Sequence, residues 1–100
     1  MTSTLADVSR SVSLILKKHP AVARAEVFGS FARGEQTTKS DIDIIIMKKE
    51  GSILGLEFYA IADEIEEATG RRIDLITPAV ARELVYGDRI LKEARCIYES

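Results

Sequence analysis

Cysteine and histidine occur once each in this 100-residue chain, at Cys96 and His19. A lone cysteine excludes an internal disulfide and a multi-cysteine zinc site. A lone histidine excludes a histidine-based metal cluster and leaves no second imidazole in reserve for a Ser/His/Asp triad. No apolar run approaches the roughly 18 residues needed to span a bilayer. The N-terminus shows no basic region followed by an apolar stretch and a cleavage site, so no signal peptide is expected and the cytoplasm is the expected compartment. Charge of one sign is also missing. Fourteen Lys and Arg stand against sixteen Asp and Glu, a formal net charge of −2, which does not suggest direct nucleic-acid binding. No repeat, low-complexity tract or Pro/Gly linker divides the chain, so a single domain over residues 1–100 is expected. Its hydrophobic content of 46% is enough for a real core.

What is present reads as alternating helices and strands. Leu5, Val8, Val12, Ile15 and Leu16 recur at helical spacing and predict an amphipathic helix over about 3–18, ended by Pro20. A strand is expected at 22–28, then a short helical turn at Gly29-Ser30 and a polar loop through Thr37-Thr38. Ser40 to Met47 is dense in β-branched residues and reads as a second strand, followed by a solvated turn at 48–51. Leu54, Phe58, Ile61, Ala62 and Ile65 predict a second amphipathic helix over roughly 52–69, closed by Gly70. Arg71 to Ile76 reads as a third strand. Pro78 suits the first turn of a short helix over about 78–85, Asp88 a cap for a last helix near 89–95, and residues 96–98 an extended end. The expected fold is α/β (α+β), a small mixed sheet with flanking helices.

The chemistry-bearing residues gather on the second strand. Side chains on a strand alternate faces, so Asp41 and Asp43 point one way while Ile42, Ile44 and Ile46 point into a core. Ile45 and Met47 share the acidic face, so that face is expected to become buried farther along. Two adjacent carboxylates at the start of an apolar strand repel each other and resist burial unless a cation sits between them. Hard divalent cations such as Mg²⁺ are commonly held by one or two carboxylates plus substrate phosphates. The preceding segment suits a phosphate: Gly29 allows close backbone approach, Ser30 suits a helix N-cap, and Arg33 and Lys39 add positive charge. Asp74 lies opposite Ile73 and Leu75 on the third strand, and completes a three-carboxylate cluster if that strand pairs beside the second.

Blander readings stand beside these. The two aspartates could be polar positions on a solvated sheet face, and Asp74 could pair with Arg71 or Arg72. Gly29-Ser30 could be an ordinary strand-to-helix turn, and Arg33 a solvated helix charge. Glu35 and Lys39 read as loop charges, His19 as a helix C-terminal residue and Cys96 as a small core residue. Glu64, Glu66 and Glu67 read as a solvated helix face, and Phe58 and Tyr59 as core or partner surface. Tyr86 and Tyr98 could be interface anchors.

The string Gly29-Ser30-Phe31-Ala32-Arg33-Gly34-Glu35, then Ser40-Asp41-Ile42-Asp43, then Asp74 on a strand resembles the nucleotidyltransferase superfamily related to DNA polymerase β. It is most similar to the minimal members, the MNT-type antitoxins encoded beside HEPN-domain toxins. The resemblance implies nucleotidyl transfer with ATP as substrate and two Mg²⁺ ions, held by Asp41 and Asp43 with Asp74 completing the site. It implies nucleotide binding by Gly29, Ser30 and Arg33. It implies as partner a HEPN-type toxin, an RNase neutralised by transfer of AMP to a tyrosine and also by binding. Two other readings are a nucleotidyltransferase core served by a separate substrate-binding subunit, and a catalytically inactive binding module.

Overall fold

The computed structural model describes residues 4–84 and 87–100. Among the described residues nine elements follow one another: α1 (Leu5–Leu16), β1 (Val22–Phe28), α2 (Ser30–Arg33), β2 (Ile42–Lys48), α3 (Glu57–Thr69), β3 (Ile73–Ile76), α4 (Pro78–Glu83), α5 (Gly87–Glu93) and β4 (Arg95–Glu99). The four strands form one mixed sheet in the order β3-β2-β1-β4. β1 pairs antiparallel with β2 and with β4, while β2 and β3 run parallel through the α3 crossover. Helices flank this sheet, as the sequence predicts. None of the described helices is long and apolar enough to cross a membrane.

The sheet separates two cores, and β1, β2 and β3 send side chains to both. Ile42, Ile44 and Ile46 join Ala25 and Val27 against Val8, Val12 and Leu16 of α1 and Ile61 and Ile65 of α3. Ile45 goes the other way, and with Phe28 it packs on Ala81 of α4 and Ile90 of α5. The acidic face of β2 is thus buried beyond Asp43, as Ile45 and Met47 suggest.

Local chemistry sets the boundaries. Thr4 caps α1 in a reciprocal pair, its hydroxyl accepting from the Asp7 N–H at 3.1 Å while the Asp7 carboxylate accepts from the Thr4 N–H at 3.0 Å. Residue 3 of the predicted helix and residue 85 of the predicted 78–85 helix lie outside the described residues, as does Tyr86. α3 begins at Glu57 rather than near 52, because Gly51 and Gly55 adopt φ of 82° and 53° and interrupt the apolar spacing. It closes at Gly70 in the left-handed region, as expected. Asp88 lies inside α5, not at its cap. Cys96 is exposed, a correction to its reading as core, because Ile97 takes the inward position of β4.

His19 also departs from its reading as a plain helix-end residue. It sits two residues past the α1 C-cap and bridges to α3. Nδ1 contacts Glu57 Oε2 at 2.6 Å, Nε2 contacts Glu64 Oε2 at 2.7 Å, and the side chain is 13% exposed. Burial opposes charging of the imidazole, but the two carboxylates outweigh it and raise the pKa above the ordinary histidine value. A raised histidine pKa gives stability that is fully present below the unfolded-state value of roughly 6.5 and is lost as pH rises through the folded-state value. His19→Ala is therefore expected to destabilise the protein by roughly 1–3 kcal/mol at pH 6 and by less at pH 9. Denaturant titration at both pH values checks this, and an equal loss at the two would show that the bridge is uncharged.

Candidate active site

The parallel register brings the acids together. Asp43 lies opposite Asp74 in the β2–β3 pair, and neighbouring strands are about 4.8 Å apart. Asp41 precedes β2 by one residue and, by alternation, shares the face of Asp43. All three carboxylates, with Gly29, Ser30 and Arg33, line one cleft of about 630 Å³. Its floor and far wall come from Phe28 and Ile76 and from Val80 and Ile90 of α4 and α5. Lys39 does not reach this cleft.

Asp43 is the electrostatic centre. Its partial burial, then the nearby charges of Asp74 and Asp41, push its pKa up to about 6, against the opposing pull of Arg33. Among the described residues no Lys or Arg nitrogen lies within ion-pair distance of Asp41, Asp43 or Asp74. The pairing of Asp74 with Arg71 or Arg72 therefore does not occur. Arg71 instead turns away and is buried, its guanidinium 5.0 Å from the Phe31 ring centroid. It donates to the carbonyls of Thr37 at 3.0 Å and Ser40 at 2.9 Å. The loop that delivers Asp41 is thereby tied to the chain that delivers Asp74, and the Ile42 N–H donates to the Arg72 carbonyl at 2.9 Å.

Gly29 joins β1 to α2 with φ 73° and ψ −149°. A side chain there would meet the Asp43 carboxylate directly. The backbone angle favours glycine, and a β-carbon there would have to displace the Asp43 carboxylate. Gly29 rather than Ser30 occupies the α2 N-cap, and no side chain caps the turn. Ser30 is the first helical residue and faces the cleft. Arg33 also reaches the cleft, with Nε donating to Glu35 at 2.7 Å and Nη1 to Glu93 at 3.0 Å. Glu93 and Arg89 of α5 complete this side. Nothing in the sequence pointed to them as cleft residues, since only their i,i+4 spacing is visible there.

An open set of carboxylates beside a glycine turn, with arginines at one side, is suited to an anionic substrate with a hard cation. Residues 11–100 match the polymerase beta nucleotidyltransferase family. The chain belongs to this family. A Methanocaldococcus jannaschii protein named as a candidate protein adenylyltransferase is 42% identical over 88 residues, 88% of this chain and 91% of its own. Protein adenylyltransferase MntA of Thermococcus cleftensis is 35% identical over 80 residues, covering 71% of this nucleotidyltransferase and 80% of that protein. The fold recurs in a solved structure of a tri-AMPylated Shewanella oneidensis HEPN toxin in complex with MNT antitoxin. The match there has a TM-score of 0.66 at 13% identity and covers 97% of this chain and 74% of that one.

Proposed function

We propose that residues 1–100 form one minimal nucleotidyltransferase domain that serves as an antitoxin, transferring AMP from ATP to a tyrosine of a HEPN-type toxin. The observation that carries the reading is the joint placement of Asp41, Asp43 and Asp74 in the cleft that also receives Gly29 and Ser30. Two named adenylyltransferase relatives and the fold's recurrence in a complex with an AMPylated HEPN toxin support the acceptor class.

The donor set fits Mg²⁺. It is all carboxylate oxygen, and among the described residues none of the three aspartates is within ion-pair distance of a Lys or Arg nitrogen. Among the described residues no group of three His, Cys, Asp or Glu side chains is set to hold an ion by itself; Mg²⁺ is commonly held by one or two carboxylates together with water and substrate phosphates. Asp41 and Asp43 would hold the metal, with Asp74 on the acceptor side. When bound, Mg²⁺ supplies charge neutralisation to the triphosphate and a lower pKa to the acceptor hydroxyl.

The chain's own residues do the rest. Gly29 lets the triphosphate come against the backbone, and the Ser30 hydroxyl is placed to donate to it. Arg33 adds a cation. A tyrosine oxygen from the partner bonds to the α-phosphorus as the bond from that phosphorus to the bridging oxygen breaks. Pyrophosphate leaves with the electron pair, and Asp74 is placed to take the hydroxyl proton. Most of the rate enhancement is then positioning and electrostatics.

Peptide mass spectrometry of a HEPN-type partner incubated with the protein, ATP and Mg²⁺ tests the acceptor. Adenylyl mass on a partner tyrosine is expected. An unmodified partner, alongside efficient transfer to RNA or to a small hydroxyl compound, would overturn the proposal.

A further inference from the structure

One carboxylate in the cleft holds two guanidinium groups. Glu93 Oε2 accepts from Arg33 Nη1 at 3.0 Å, and its Oε1 accepts from Arg89 Nε at 2.7 Å. The contact with Arg89 alone would be an ordinary i,i+4 helix pair. The contact with Arg33 is of another kind, since it joins α5 to α2 across 60 residues of chain. Glu93 is 20% exposed, and Arg89 and then Arg33 hold its carboxyl below the usual range despite partial burial. It is a fixed anion between two cations.

The forks are not used up by this. Among the described residues Arg89 gives only its Nε, to Glu93, so both terminal nitrogens keep their N–H donors there. Arg33 gives Nε to Glu35 and Nη1 to Glu93, which leaves Nη2. Gripping a guanidinium by one edge fixes its plane and presents the remaining donors to an anion of matching geometry. Arg33, Arg89 and Glu93 line the same cleft as Gly29, Ser30 and the aspartates. Four carboxylates otherwise face an incoming triphosphate there, so cations held in place beside the glycine turn are what its phosphates require.

We propose that Arg89 is a second polyphosphate ligand acting with Arg33, and that Glu93 is the positioning residue that aims both. The inference rests on the nucleotidyltransferase reading of the cleft and adds to it the residues that distinguish a triphosphate from a monophosphate. Arg89 reads the phosphate chain, not the base or ribose. Its loss therefore weakens ATP and leaves AMP alone.

Calorimetric titration of the purified chain with the non-hydrolysable ATP analogue AMP-PNP, and separately with AMP, both in Mg²⁺, tests this. Arg89 is 64% exposed, so its variants are expected to fold, and melting curves verify it. Arg89→Ala should weaken AMP-PNP binding about tenfold and AMP binding by less than about twofold. Arg89→Lys should recover part of the loss, since a point charge replaces a fork. Glu93→Gln should weaken AMP-PNP several-fold without affecting AMP. Raising the salt should narrow the gap between wild type and Arg89→Ala. Unchanged AMP-PNP affinity in Arg89→Ala, or equal losses for the two nucleotides, would overturn the assignment of Arg89. Unchanged AMP-PNP affinity in Glu93→Gln would overturn its positioning role. A wild type that binds neither nucleotide would instead overturn the nucleotide-site reading, and the arginine pair with it.

Discussion

Asp43→Asn is expected to lower adenylyl transfer by at least roughly a thousandfold, about 4 kcal/mol of transition-state stabilisation, while leaving a folded protein. Asp43 lies between Asp41 and Asp74 in its electrostatics, and its own pKa of about 6 records burial and the repulsion of both. Asparagine keeps the shape but offers a neutral oxygen where a divalent cation needs a charged one. The same change should make the metal-free protein more stable. A carboxyl whose folded pKa exceeds its unfolded value penalises folding when ionised. The Asp43 penalty in the metal-free protein should thus be absent below about pH 4, grow as pH rises to about 6, and stay constant above that. Asp43→Asn should lose this dependence and gain on the order of 1 kcal/mol at pH 7.5, after discounting for solvent screening of a partly exposed group. Transfer rates together with denaturant titrations in chelator check both halves. Retained transfer would remove Asp43 from the metal site, and lower stability would show that its carboxylate is not repelled.

Gly29→Val carries the second large effect. Its β-carbon would fall on the Asp43 carboxylate, and its backbone would have to hold φ near 73°. Strain of this kind costs about 1–3 kcal/mol, and displacement of Asp43 adds loss of the proposed metal ligand. Triphosphate binding should fall more than tenfold and the melting temperature should drop by several degrees. Ser30→Ala should be mild by comparison, losing on the order of 1 kcal/mol of nucleotide affinity. Titration with Mg²⁺ and AMP-PNP separates the two. Wild-type affinity in the valine variant would mean that the phosphates do not approach this turn.

Much of this site was legible because β-strand alternation is strict. Once Ser40 to Met47 reads as a strand, Asp41 and Asp43 must share a face, and a parallel neighbour in register needs only one more acidic residue, Asp74. The turn at Gly29 was legible for a related reason: a glycine between a strand and a helix marks a close backbone approach. The ends of elements were harder to read. Leu54 continues the helical spacing of Phe58, Ile61, Ala62 and Ile65, but two glycines with positive φ set the chain's path there, so α3 starts five residues later than its pattern suggests. Cys96 was misjudged because a short edge strand buries one side chain in two, and Ile97 takes that place. Contacts between elements distant in sequence left no local signal. Arg71 bonding the Thr37 and Ser40 carbonyls, His19 between Glu57 and Glu64, and Glu93 reaching Arg33 each depend on tertiary packing that no periodicity encodes.

The central claim is that this cleft transfers the nucleotidyl group and releases pyrophosphate. Parallel incubations of the protein and a HEPN-type partner with ATP labelled on the α-phosphate or on the γ-phosphate test it most directly. The account predicts α-label bound covalently to the partner, γ-label found only in pyrophosphate, dependence on Mg²⁺, and no label on the partner with Asp43→Asn. Label from the γ-phosphate on the partner, or release of γ-label as inorganic phosphate with no α-label transferred, would contradict it.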